Sequence, residues 1–204
     1  THVWMYYCSS DSWMGQTSDV AYSGATPFTL HHRGHTLLSA ARRMLRKNAV
    51  AGWTTDDGYS VPNLDDATHV VFTGTSAGAK GALQNVDWFM TPLPAPHKYL
   101  VLDGNMDIHD TVLNNRDIWL DVDGDGIGDQ DYYSARITMD LDEWSTGFYA
   151  SINAFADESC RAVYEPMGRM DRCSHFSTLL WLNHGGVPLL ETPTFVRVDL
   201  KDEV

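Results

Sequence analysis

The chain has 204 residues, 43% of them hydrophobic, with seven Trp, nine Tyr and seven Phe: enough apolar material for one domain with a substantial core, and too much for a disordered chain. A formal charge of −13 argues against a nucleic-acid backbone as the partner, since phosphate neutralisation needs clustered Lys and Arg. No apolar run approaches the roughly 20 residues of a membrane-spanning helix.

In chain order, "HVWMYYCSSD" (residues 2–11) is aromatic and β-branched enough for a strand ending in a polar turn. A loop containing Gly, Ser and Pro follows. "HRGHTLLSAARRMLRKN" (32–48) then sets Leu37, Leu38, Ala41, Met44 and Leu45 at helical spacing, with basic residues near its end to complement the helix dipole. His31, His32 and His35 at this spacing read as a partly exposed helix start rather than a metal site. "TTDDGYSVPNLDD" (54–66) is a loop by its turn residues, "THVVFTG" (68–74) a buried strand and "AGAKGALQNVDWFM" (77–90) a helix. "PLPAP" breaks that helix, and "KYLVLDG" (98–104) is a further strand. Beyond the acidic stretch, "GFYASINAFAD" (147–157) reads as a strand and "SHFSTLLWLNH" (174–184) as a helix. Strands alternating with helices predict a single α/β domain over residues 1–204 with a mainly parallel sheet.

Gly74-Thr75-Ser76-Ala77-Gly78 is a G-x-S-x-G pattern. A nucleophilic serine at such a site needs a strand, a tight strained turn and a helix, with small neighbours so that backbone and helix can approach. All three parts occur here in that order. The Ala77 N–H would then stand at a helix N-terminus, able to donate to an oxyanion. The competing reading is a glycine-rich turn whose serine caps the helix. A serine nucleophile also needs a base and an orienting acid. Of the later histidines, His97 and His109 fall in exposed connections, His175 follows the last strand candidate, and His184 competes with it. Asp157 closes "INAFAD", where ligand-facing loops of parallel sheets gather, with Asp103 and Glu158 as rivals. The residues alone leave these choices open.

Five segments carry a family resemblance: "YYCSSDSWMG" (6–15), "GTSAGAKGALQNVDW" (74–88), "VLDGN" (101–105), "INAFADESC" (152–160) and "RCSHF" (172–176). In order and spacing they resemble the pectin acetylesterases and Notum-type carboxylesterases. The resemblance implies an α/β-hydrolase-like fold acting on O-acyl esters through Ser76 as nucleophile, Asp157 as acid and His175 as base. It breaks the tie against Asp103 and His184. Family members also carry, upstream of "YCSSD", a strand and a "GGGW"-like loop that donates oxyanion-hole hydrogen bonds. This sequence has no counterpart, which implies either a separate N-terminal chain completing the fold or an incomplete hydrolase. The expected substrate is an acylated carbohydrate, by default an O-acetyl ester on a polysaccharide, or another small ester. No organic cofactor is implied.

Residues 103–143 hold twelve Asp or Glu against two Arg, so most of the net charge is local. Within them "DVDGDGIGDQD" (121–131) matches the opening of a calcium loop. Asp121, Asp123 and Asp125 supply side-chain oxygens, Gly126 the sharp turn, Ile127 its carbonyl and Asp129 position nine. Tyr132 stands where a bidentate acid belongs, and Asp131 substitutes at shifted register. Carboxylates this close repel one another without a cation, so structural calcium is expected over 121–132. Cys160 and Cys173 flank the acid and base segments and are expected to form a disulfide, with Cys8 pairing outside the chain. Calcium and disulfide together point to an extracellular or secreted protein. A hypothesis from another class keeps the scaffold without the chemistry: a non-catalytic, calcium-dependent binding or structural module. Trp13, Trp88, Trp144 and Trp181 are pocket candidates, with core packing the commoner fate.

Overall fold

The structure, a computed structural model, describes residues 1–23, 26–46, 54–104, 147–174, 179–180 and 189–197. Two β assemblies organise them. Strands β1 (Thr17–Tyr22) and β2 (Phe28–His32) form an antiparallel hairpin that leads into helix α1 (Gly34–Met44). Strands β3 (His69–Thr75), β4 (His97–Asp103) and β5 (Thr194–Arg197) form a parallel sheet in the order β3-β4-β5, and helix α2 (Ala77–Met90) makes the crossover from β3 to β4. Helix α3 (Glu158–Tyr164) follows a helical turn at 147–151. This is an α/β architecture, as the alternation of elements predicts.

Among the described residues the sheet has one covered face. Val70 on β3 and Leu100 and Leu102 on β4 point with period two at α2, where they meet Ala79, Leu83, Val86, Phe89 and Met90. Phe72 stacks on Phe89 at 4.8 Å. Val71, Tyr99 and Phe195 on the other face are exposed. Helix α2 is buried on nearly every side, so its polar residues must find partners inside the protein. They do: Asp87 accepts from the backbone N–H of Glu191 and of Thr192, at 2.8 and 3.0 Å, and Asn85 donates to the Trp13 carbonyl at 3.1 Å.

Three expectations need correction, and one strand was not anticipated. Residues 2–11 are not a strand: no described strand pairs with them, Trp4 and Tyr6 are exposed, and β propensity without a partner is not enough. The loop before α1 instead contains the β1–β2 hairpin, which places His31 and His32 on β2 rather than on a helix. "GFYASINAFAD" is helical at 147–151 and irregular from 154 to 157, because a short aromatic run has no period to tell strand from helix. Strand β5 is four residues long, too short to announce itself. The segment 174–184 lies mostly outside the described residues, and so does the whole calcium-type loop with Asp121, Asp123, Asp125, Ile127, Asp129 and Asp131.

His35 and His32 are both buried, against the expectation of an exposed helix start. The His35 ring lies flat on Phe155 at 3.9 Å between centroids and its Nδ1 is 2.7 Å from Asn85 Oδ1. Burial lowers its pKa; the Asn85 bond partly opposes this and the Arg42 charge adds to it. A buried neutral histidine takes up a proton more readily once the chain unfolds, so its stabilising effect is full above the ordinary pKa of about 6.5 and is lost as pH falls below it. Urea midpoints measured from pH 7.5 to 5 are expected to fall for the native protein, and less steeply for His35→Gln.

Candidate active site

Strand β3 ends in Thr75, and Ser76 turns the chain into α2 with φ 54 and ψ −126. Positive φ on a non-glycine residue costs roughly 1–3 kcal/mol and persists only where neighbours enforce it. Here they do. The Ser76 N–H donates to the Asp103 carbonyl of β4 at 3.0 Å, and its own carbonyl accepts from Ala79 and Lys80 at 2.8 and 3.2 Å. Gly74 permits the turn: a Cβ there would sit 2.1 Å from the Gly78 carbonyl oxygen. Although Ser76 occupies the cap position, its side chain makes no capping hydrogen bond, which removes the main support for the plain-cap reading.

Ser76 and Ala77 line a cavity of about 440 Å³. Ala77 is the first residue of α2, where unpaired N–H groups and the positive end of the helix dipole favour an anion. Lys80, one turn along, holds its ammonium 5.1 Å from the Tyr149 ring centroid, and both line the same cavity. Another wall is the loop carrying Ser10 and Ser12, which wraps around the fully buried Asp11. The Asp11 carboxyl oxygens accept from the Ser9 hydroxyl, from Trp13 N–H at 3.0 Å, Gly15 N–H at 3.1 Å and Gly34 N–H at 2.6 Å. These bonds hold Ser10, Ser12 and Trp13 at φ 50, 51 and 59. The loop lies against α2 at Gly81, where a Cβ would be 2.4 Å from the Ser12 carbonyl oxygen. Asp11→Ala strands three backbone donors and is expected to cost about 3 kcal/mol or more in chemical denaturation.

Asp157 is 2% exposed and caps α3. Its Oδ1 accepts from Ser159 N–H at 2.9 Å, Cys160 N–H at 3.3 Å and the Ser159 hydroxyl. Burial raises its pKa; the Ser159 bonds oppose the rise, and the negative charge of Asp87 adds to it. The rivals are placed otherwise. Glu158 is exposed, and the Asp103 carboxylate is 3.4 Å from the Arg197 guanidinium. His97 pairs in register with His69 at the far end of the sheet, roughly 20 Å of strand from Ser76, and their rings stack at 4.4 Å. His175, His109 and His184 lie outside the described residues.

One link joins the acid segment to the segment before His175, and a second ties both to α2. The Cys160–Cys173 disulfide is present, with Cα atoms 5.7 Å apart, closing a 13-residue separation worth about 3 kcal/mol in loop entropy. Gln84 of α2 is buried between them: its side-chain oxygen accepts from Asp157 N–H at 3.4 Å and its amide donates to the Cys173 carbonyl. The helix that begins at the candidate nucleophile therefore holds both neighbouring segments. Cys8 is a free, exposed thiol.

Asp11, Gln84 and Tyr22 belong to the site or its supports and were not singled out from sequence, and His32 was read there only as part of a helix start. A signal existed for Gln84: three polar residues crowd into four positions of an otherwise apolar helix. Trp13 and Trp88 are packing residues. Trp13 is buried over Gly81, and Trp88 takes the Arg42 guanidinium on its face at 3.7 Å. Trp144 and Trp181 lie outside the described residues. Among the described residues no group of three or more His, Cys, Asp or Glu could hold a metal, and no helix is long and apolar enough to cross a membrane. No protein-family model matches the chain, and no curated protein matches it.

Proposed function

We propose that the protein is a serine carboxylesterase of the pectin acetylesterase/Notum type, with an α/β-hydrolase-like fold, hydrolysing O-acyl esters through Ser76, Asp157 and His175. The observation that carries this reading is the backbone of Ser76: a strained turn at the C-terminal end of a parallel strand, opening on a cavity at the start of a helix. In the reaction His175 accepts the Ser76 proton as Oγ attacks the ester carbonyl, the Ala77 N–H donates to the developing oxyanion, and Asp157 orients and stabilises the imidazolium. The alcohol departs with the proton, and water hydrolyses the acyl-enzyme by the same base. Asp157 suits the acid role because its described carboxyl bonds all use one oxygen and its surroundings are dry.

Structural calcium at 121–131 and an extracellular location belong to the same reading, supported by the spacing of the aspartates and by the disulfide. The test is covalent labelling with a fluorophosphonate, followed by intact mass and peptide mapping, with calcium and with a chelator. One adduct, on Ser76, is the expected result. A folded protein that takes up calcium and forms no adduct is a binding module, not an esterase.

A further inference from the structure

The hairpin contributes Tyr22 and His32 to the wall of the Ser76 cavity. His32 is 1% exposed and both ring nitrogens are engaged. Nδ1 is 3.0 Å from the Ser9 carbonyl oxygen, and Nε2 is 2.7 Å from the Tyr22 hydroxyl. A carbonyl oxygen only accepts, so Nδ1 carries the hydrogen. Nε2 of the neutral ring is then a lone pair, and the Tyr22 O–H donates to it. The single hydrogen of the phenol is thereby committed, and its oxygen retains only acceptor capacity. Packing holds the pair in place. Tyr22 stacks on Phe28 at 5.2 Å, and His32 meets Phe148, another cavity residue, edge-on at 5.6 Å.

We propose that Tyr22, oriented by His32, is an acceptor-only subsite that recognises a hydroxyl donor on the ligand in the Ser76 cavity. Resting on the esterase reading, the substrate is an ester of a polyol or sugar that keeps a free hydroxyl near the acylated one. Ser10 and Ser12 on the same cavity are not equivalent to it, because a serine hydroxyl whose hydrogen is uncommitted rotates to donate or accept. His32 acts as a positioning residue: with both ring nitrogens engaged, it sets the direction of the Tyr22 hydroxyl.

The test is binding in a Ser76→Ala background, where turnover cannot interfere. Glycerol monoacetate and its di-O-methyl ether are titrated by NMR. The monoacetate is expected to bind about tenfold tighter, the effect of one well-made hydrogen bond against an unpaired acceptor. Tyr22→Phe should erase that ratio. His32→Phe should narrow it with Tyr22 still present, because the freed phenol hydrogen can then donate to the ether. A preference that survives Tyr22→Phe overturns the proposal, as does equal binding of the two ligands or no saturable binding of the monoacetate. Fluorophosphonate labelling of the native protein reads the esterase assignment separately. A missing Ser76 adduct with the hydroxyl preference intact would sink the chemistry and leave the subsite standing.

Discussion

Ser76→Gly is expected to abolish fluorophosphonate labelling and to lower ester hydrolysis by about 10⁴-fold or more, while leaving the protein as stable as the parent or more so. The two halves of this result come from one feature. Ser76 sits at φ 54, a conformation that glycine adopts freely, so the substitution releases roughly 1–3 kcal/mol of backbone strain. Against that stands the larger unfolded-state entropy of glycine, about 0.5–1 kcal/mol. A serine that merely capped α2 behaves in the opposite sense, losing a few tenths of a kcal/mol to glycine and leaving any activity untouched. Thermal melts of the parent, Ser76→Gly and Ser76→Ala decide between the two. Ser76→Ala removes the hydroxyl and keeps the strain, so it should be inactive without the gain. A loss of stability in Ser76→Gly with activity retained would remove Ser76 from the site altogether.

Asp157→Asn is expected to lower kcat/KM by about 10³- to 10⁴-fold and to cost little stability at neutral pH. The amide can still cap α3 through the oxygen that now accepts from Ser159 and Cys160, so the helix start survives. What it cannot do is stabilise an imidazolium. The stability half follows from the raised pKa of the buried carboxyl. A group that ionises later in the folded state than in the unfolded chain stabilises the fold when protonated, below its ordinary pKa of about 4. That contribution is lost as pH rises through the folded-state value. Above that value the buried charge works against the fold, and the neutral amide carries no such penalty. Denaturation midpoints of the two proteins should therefore converge at acid pH and separate, in favour of Asn, as pH rises. A variant as active as the parent would return the acid role to one of the rivals, with Asp103 next in line beside the Ser76 N–H.

Helix α2 shows how much of this was legible in one dimension. Its limits, Ala77 to Met90, coincide with those read from the sequence, because a glycine-flanked serine starts it, prolines follow it and apolar residues repeat between. Strands β3 and β4 were legible for the same reason: short apolar runs beside strong turn signals. The Cys160–Cys173 pairing could be anticipated because the two cysteines flank the acid and base segments and close a loop of ordinary stabilising length. The N-terminal run "HVWMYY" has as strong a β composition as either strand and forms none, since a strand exists only with a partner and composition names no partner. "GFYASINAFAD" fails differently, as a run too short and too apolar for its period to show.

The chain order and local chemistry of Ser76 were determined before any folding: glycines on both sides, a strand before and a helix after. Which carboxylate stands ready was not. Asp103, Asp157 and Glu158 are equivalent as letters and become different only in space, where one pairs with Arg197, one is buried over a helix N-terminus and one faces water. Burial and partnership are properties of neighbours distant in the chain. The same holds for Asp11, Gln84, Tyr22 and His32, whose roles rest on contacts to backbone and side chains up to 89 positions away. Local sequence sets what the backbone can do at a position. Tertiary structure sets the dielectric and the hydrogen-bond partners, and those decide what a titratable side chain is for.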